Sequence, residues 1–169
     1  MKQLIALTTA LTLTMAPMAI AENVTVSSVA VEAKLSAGDD SNALKLWPDV
    51  TSDLQKMVKD AVQPMWADDG LKVNVRLTEM SLEGETMLPD DGEFNWLSGW
   101  VFIYRDNAPV KSFPVIMRAD SADAVSVPGS VIVVSPTDND YYHALLTGFA
   151  THTASVLEDT TLPPAPAKP

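Results

Sequence analysis

Residues 94–105 are the segment that most restricts how this 169-residue chain can fold. In an extended strand, successive side chains point to opposite faces of a sheet. One face of this segment would carry Trp96, Ser98, Trp100, Phe102 and Tyr104. The other would carry Leu97, Gly99, Val101 and Ile103. The pattern predicts a strand with two largely apolar faces. Which face is buried in the core and which is exposed therefore depends on what packs on each side of the sheet.

Other segments have the alternation of half-buried strands. Residues 71–78 place four aliphatic side chains on one face and polar side chains on the other. Residues 24–35 and 109–118 are also predicted strands, the latter joined to residues 94–105 by a tight turn at Arg105-Asp106-Asn107-Ala108. The apolar run Val131–Val134 is a candidate for a fifth sheet strand.

Two segments have helical spacing of apolar residues. Residues 49–66 predict an amphipathic helix that kinks or stops near Gln63, because Pro64 removes a backbone donor. Residues 139–158 predict a second helix, with Thr137 or Asp138 as its cap. The element order β-α-β-β-β-(β)-α predicts a two-layer α+β domain with an antiparallel sheet of four to five strands and both helices on one face.

The amino terminus predicts export. Lys2, an apolar run from Leu4 and the sequence Ala19-Ile20-Ala21 are the parts of a secretory signal peptide. We expect cleavage after Ala21 and a periplasmic or secreted bacterial protein without a membrane span. The predicted organisation is a signal peptide at 1–21, one α+β domain at 22–159 and a disordered proline-rich tail at 160–169.

Charge and cysteine content exclude several classes of protein. The chain has 11 Lys and Arg and 22 Asp and Glu, so loss of Lys2 with the signal leaves 10 against 22, a net charge of −12. Such a charge repels nucleic acid. The absence of cysteine excludes disulfides, thiolate metal sites and a cysteine nucleophile.

The sequence offers little catalytic chemistry. His143 and His152 lie nine residues apart on one predicted helix, half a turn out of phase, so they cannot share a metal ion. The acidic turns lack the calcium-loop spacing, and no phosphate-binding loop, zinc motif or nucleophile elbow is present. We therefore predict no catalytic residue, no metal and no cofactor.

The aromatic face of residues 94–105 has two interpretations. If the aliphatic face packs against the helices, the aromatic face is open and forms a binding surface consisting of Trp96, Trp100, Phe102 and Tyr104. If the aromatic face is the core, loops or the tail cover the aliphatic face. The second interpretation is favoured by the general tendency of large aromatic side chains to be buried.

These observations favour a non-catalytic binding or accessory protein of the bacterial cell envelope, with a protein partner or a second copy of the chain as its possible partner. The alternative is a periplasmic hydrolase that uses His143 or His152 with a carboxylate.

Overall fold

The computed structural model describes residues 22–36, 41–83, 85, 87–119 and 137–162. Four strands form the main sheet in the order β2-β3-β4-β5, and two further strands, β1 and β6, pair with each other in a separate two-stranded sheet. Their bounds are β1 Glu22–Asn23, β2 Val26–Ala33, β3 Leu71–Ser81, β4 Trp96–Arg105, β5 Ala108–Arg118 and β6 Thr161–Leu162. The helices are α1 Ala43–Leu46, α2 Val50–Ala61 and α3 Asp138–Glu158. The predicted two-layer α+β fold is confirmed.

Strand direction differs from the prediction at one edge of the sheet. Strands β3, β4 and β5 form the expected antiparallel meander. Strand β2 instead pairs with β3 in parallel, so the sheet is mixed and the prediction of an antiparallel sheet is wrong there. The physical reason is the connection: α1 and α2 carry the chain back to the end of the sheet where β2 began, and a parallel pair needs such a crossover.

Local signals placed most element ends correctly. Helix α2 ends at Ala61, and Pro64 lies in a short 3-10 turn, as its missing backbone donor predicts. Asp106 and Asn107 have φ of +49° and +66°, the left-handed conformation of a two-residue hairpin turn between β4 and β5. The four-residue helix α1 was not predicted, because four residues are too few to show a helical period.

Helix α3 begins with a reciprocal cap. The backbone N–H of Asp140 donates to Thr137 Oγ1 at 3.3 Å, and the N–H of Thr137 donates to Asp140 Oδ2 at 2.8 Å. The second bond gives an acceptor to a backbone N–H that would otherwise be unsatisfied at the start of the helix. It also lowers the pKa of Asp140. Thr137 is one of the two caps, Thr137 or Asp138, that the sequence predicts. Asp49 is the N-cap residue of α2, and its side chain makes no capping bond.

The core lies between the sheet and the helices. Strand β4 contributes Leu97, Val101 and Ile103 to it, and β3 contributes Val73, Val75 and Leu77. The helices contribute the predicted apolar stripes, including the fully buried side chains Val50, Leu54, Val58, Leu146, Phe149 and Leu157. The aliphatic side of β4 therefore faces the helices.

The two chain ends of the domain meet. Glu22 pairs with Leu162 and Asn23 with Thr161 in an antiparallel two-stranded ribbon. Thr160 and Leu162 are buried, so the first three residues of the predicted tail belong to the folded domain. Residues 163–169, the candidate strand Val131–Val134 and the predicted signal peptide lie outside the described residues.

None of the helices in the described ranges is both long enough and apolar enough to cross a lipid bilayer.

Two glycines provide a test of how closely neighbouring elements approach each other. A Cβ atom on Gly99 would lie 2.6 Å from the carbonyl oxygen of Arg76, a rigid backbone atom of β3. A Cβ on Gly148 in α3 would meet only the side chain of Met117, at 3.1 Å for the nearest atom. We expect Gly99→Ala to lower the free energy of unfolding by about 1–3 kcal/mol. Gly148→Ala should be neutral or raise it by up to about 1 kcal/mol, since alanine favours the helix.

Urea unfolding of the wild type and both variants measures these changes. Equal effects of the two substitutions would contradict the close approach of β3 and β4 at Gly99.

Candidate functional site

The aromatic side of β4 is open. Ser98, Trp100 and Phe102 lie opposite Ile116, Pro114 and Ser112 of β5 across the sheet, so these side chains share the face that points away from the helices. Trp100 is 43% exposed and Ile116 is 55% exposed. The favoured interpretation, in which the aromatic side is the core, is therefore wrong. The helices cover the aliphatic side, where Leu97, Val101 and Ile103 pack against them.

We call this surface the open face: the outward side chains of β3, β4 and β5 on the side that the described helices do not cover. Its centre is a row of aromatic rings along β4. The ring centroids of Trp100 and Phe102 are 6.5 Å apart, as are those of Phe102 and Tyr104. This spacing is the repeat of alternate residues in a strand. The rings form a strip one strand wide, and Trp100 is its most exposed member.

A polar row on β3 lies beside the aromatic strip. The guanidinium of Arg76 lies 5.2 Å from the centroid of the Phe102 ring, and its Nε donates to Glu32 Oε1 at 2.6 Å. The hydrogen bond and charge of Arg76 lower the pKa of Glu32. Lys72 Nζ donates to Asn107 Oδ1 at 2.9 Å. The strip is thus bordered by cations whose positions are fixed by partners.

A groove of about 470 Å³ lies at the other end of the strip, lined by Glu79, Glu83, Trp96 and Arg118. The indole N–H of Trp96 donates to Glu79 Oε2 at 2.9 Å, which fixes the orientation of the ring. Glu79 reaches this position because the ladder of β3 and β4 shifts register between Leu77 and Glu79. Such a bulge re-aims a side chain.

The rim of this groove includes a residue with an unusual backbone. Glu83 has φ of +51°, a left-handed conformation that non-glycine residues seldom adopt. Its N–H donates to Asn95 Oδ1 at 2.8 Å, and Asn95 in turn donates from its backbone to Ser81. These bonds fix the backbone of Glu83 at the rim of the groove.

A second pocket, of about 280 Å³, lies between the helices. Trp47 stacks on Tyr142 with centroids 4.2 Å apart, and the Tyr142 hydroxyl donates to Asp53 Oδ2 at 2.6 Å. Burial, followed by this hydrogen bond, raises the pKa of Tyr142 well above its ordinary value. Asp49, Asp53 and the exposed His143 line the same pocket.

This second pocket is the part of the structure that bears on the hydrolase alternative. His143 lies there with two carboxylates, and His152 is not among the lining residues. Asp53 is already the acceptor of the Tyr142 hydroxyl, so its bond is structural. Within the described part of the chain, no three His, Asp or Glu side chains are grouped in a way that could hold a metal ion.

No protein-family model matches the chain, and no curated protein matches it in a sequence search.

The structure places all four predicted binding residues on the open face, and it adds partners that the sequence analysis did not single out. Arg76, Glu79 and Ile116 come from the strands on either side of β4. The alternation of residues 71–78 already places Arg76 on the polar side of its strand, and that signal could have identified it. The position of Glu79 depends on the bulge, which sequence periodicity does not reveal.

The hydroxyl of Tyr142 should affect how stability depends on pH. The unfolded chain releases the Tyr142 proton near pH 10, whereas the folded protein retains it because of the raised pKa. The stability contributed by this group is therefore present below pH 10 and is lost as the pH rises above it. Tyr142→Phe should cost about 1 kcal/mol at pH 7, and this cost should disappear near pH 11.

Urea unfolding at pH 7 and at pH 11 tests this expectation, with Tyr141→Phe as the neighbouring control. A cost of Tyr142→Phe that is the same at both pH values would contradict it.

Proposed function

We propose that this protein is a non-catalytic binding or accessory protein of the bacterial cell envelope and that it binds through the open face of its sheet. The observation that carries the proposal is the exposure of Trp100 and Ile116, which lie at diagonal positions on neighbouring strands, on the face that points away from the described helices. Aromatic side chains and arginine are enriched at recognition surfaces, where each buried ring contributes a large contact area at low entropic cost.

The geometry also makes the surface well suited to binding. The aromatic rings lie on the rigid strand β4, which is paired on both sides. Arg76 is held by Glu32 and Trp96 is held by Glu79, so little side-chain freedom remains to be lost on binding. A partner that contacts the strip would therefore meet a surface that is already ordered.

The envelope location is inferred from the amino-terminal sequence. A positive start, a short apolar run and small residues before Glu22 favour export and cleavage after Ala21. Residues from Glu22 onward belong to the domain, since Glu22 pairs with Leu162. The alternative function, a hydrolase that uses His143 with a carboxylate, has weaker support because Asp53 is already bonded to Tyr142.

The location can be tested on the native protein. We expect protein purified from the periplasmic or secreted fraction of the producing cells to begin at Glu22. Amino-terminal sequencing or intact-mass measurement of fractionated cells gives the answer. Recovery from the cytosol with Met1–Ala21 still attached would contradict export.

The binding role can be tested with exposed apolar residues. Trp100→Ala combined with Ile116→Ala removes the most exposed apolar side chains of the open face without changing the core. Leu44→Ala is the matched control, since Leu44 is 41% exposed and lies on α1, in the crossover between β2 and β3. Each immobilised protein is incubated with envelope extract, and retained proteins and glycans are both identified by mass spectrometry.

We expect a component that the wild type and the Leu44→Ala control retain and the double variant releases, with a loss on the order of tenfold or more. Identical sets of retained components for all three proteins would contradict binding through the open face. Unfolding curves check that the double variant is folded.

A further inference from the structure

We infer that the open face binds a neutral carbohydrate chain, which lies along β4 with one sugar unit seated on Trp96 in the groove. This inference rests on the proposed function, and it names the chemical class of the ligand. It is carried by the width of the aromatic strip, the composition of the groove and the charge of the surface.

The first argument is the shape of the surface. The aromatic side chains come from a single strand, and the neighbouring row on β3 is polar, consisting of Lys72, Asn74, Arg76 and Thr78. On the other side of β4, Pro114 and the exposed Ile116 of β5 add apolar surface. The apolar surface is therefore elongated along the strands and flanked by charged side chains on the β3 side. A compact protein domain would have to cover the charged side chains beside it, and removing those charges from water is costly. A chain-like ligand one unit wide meets mainly the rings.

The second argument is the chemistry of the groove. Trp96 is half-buried and is held by its bond to Glu79, while Glu83 and Arg118 also line the groove. A sugar ring has an apolar face of C–H groups that can stack on an indole, and its hydroxyls both donate and accept hydrogen bonds. Carboxylates accept hydrogen bonds and a guanidinium donates them. The volume of about 470 Å³ lies within the usual range for small-ligand sites.

The third argument is electrostatic. Two carboxylates and a guanidinium line the groove, and Arg76 on the strip is paired with Glu32. Charges of both signs are thus present close together, which favours a neutral polar ligand. Nucleic acid bases would also stack on such rings, but nucleic acid binding needs a positive surface along the phosphates. The net charge of the chain opposes it.

An extended peptide is the competing occupant. A peptide adds to a sheet through backbone hydrogen bonds at a strand edge. Lying across the face of the sheet it would make no such ladder, and the rings of Trp100, Phe102 and Tyr104 would not satisfy its backbone groups. Proline-rich peptides are the exception, since their extended form leaves the backbone solvated. They are included in the test below for that reason.

The experiment is a calorimetric titration of the purified native protein with three neutral oligosaccharides: cellotetraose, maltotetraose and tetra-N-acetylchitotetraose. We expect saturable binding of at least one of them at micromolar to millimolar concentration. Trp96→Ala and Trp100→Ala should each weaken that binding on the order of tenfold. Leu44→Ala should leave it unchanged. Glu79→Gln keeps an acceptor for the Trp96 indole, and it should weaken binding less than Trp96→Ala does.

Three results would overturn the inference. The first is no saturable binding of any of the three sugars at millimolar concentration, and the second is sugar binding that Trp96→Ala and Trp100→Ala leave unchanged. The third is binding of a proline-rich decapeptide with the sequence of residues 160–169 in place of the sugars. Failure here is distinguishable from failure of the proposed function. If a protein from envelope extract is retained and its retention depends on Trp100 and Ile116, while no sugar binds, the proposed binding function stands and the carbohydrate inference fails.

Discussion

The helices of this domain cover one side of a four-stranded sheet, and that one-sided covering governs what the other side can do. Helices α2 and α3 pack over the aliphatic side chains of β3 and β4, including Val75, Val101 and Ile103. Burial of such side chains is the main favourable term in folding. Once they are committed to the helix layer, the strand geometry leaves the alternate residues of β4 on the other side. The open face is thus a consequence of how the core is built.

Two local features shape that face. At Gly99 the backbones of β3 and β4 approach so closely that a side chain would collide with the carbonyl of Arg76. Just beyond, the register shift after Leu77 places Glu79 opposite Ser98, on the side of Trp96. The bulge therefore supplies the carboxylate that orients the indole, and it forms the groove at the end of the aromatic strip. Regular pairing would have aimed residue 79 at the helices.

The charged residues are unevenly distributed over the fold. Most acidic residues lie in loops and helices, while the polar row of β3 includes Lys72 and Arg76. A strong net negative charge favours solubility and opposes association between two copies of the chain. The open face avoids a large apolar patch because Arg76 lies against Phe102, with a cation–π contact worth about 0.5–1 kcal/mol. The surface can therefore remain exposed to solvent.

Much of the fold could be predicted from the sequence because it depends on short-range patterns. The alternation of residues 71–78, the helical stripe of 139–158, the cap at Thr137 and the hairpin turn at Asp106 and Asn107 each have a local physical cause. The sequence also identifies the members of the aromatic row, since alternation alone places Trp96, Trp100, Phe102 and Tyr104 on one side of a strand.

Only the tertiary structure decided which side of β4 is buried. Both sides are apolar, so alternation does not decide between them, and the general tendency of large aromatic side chains to be buried favours the wrong side. The answer depends on where the helices pack. The same holds for the parallel pairing of β2, which the crossover through α2 determines, and for Glu79, whose direction depends on a bulge. Each of these depends on contacts between residues far apart in the chain, and periodicity within one segment has no information about such contacts.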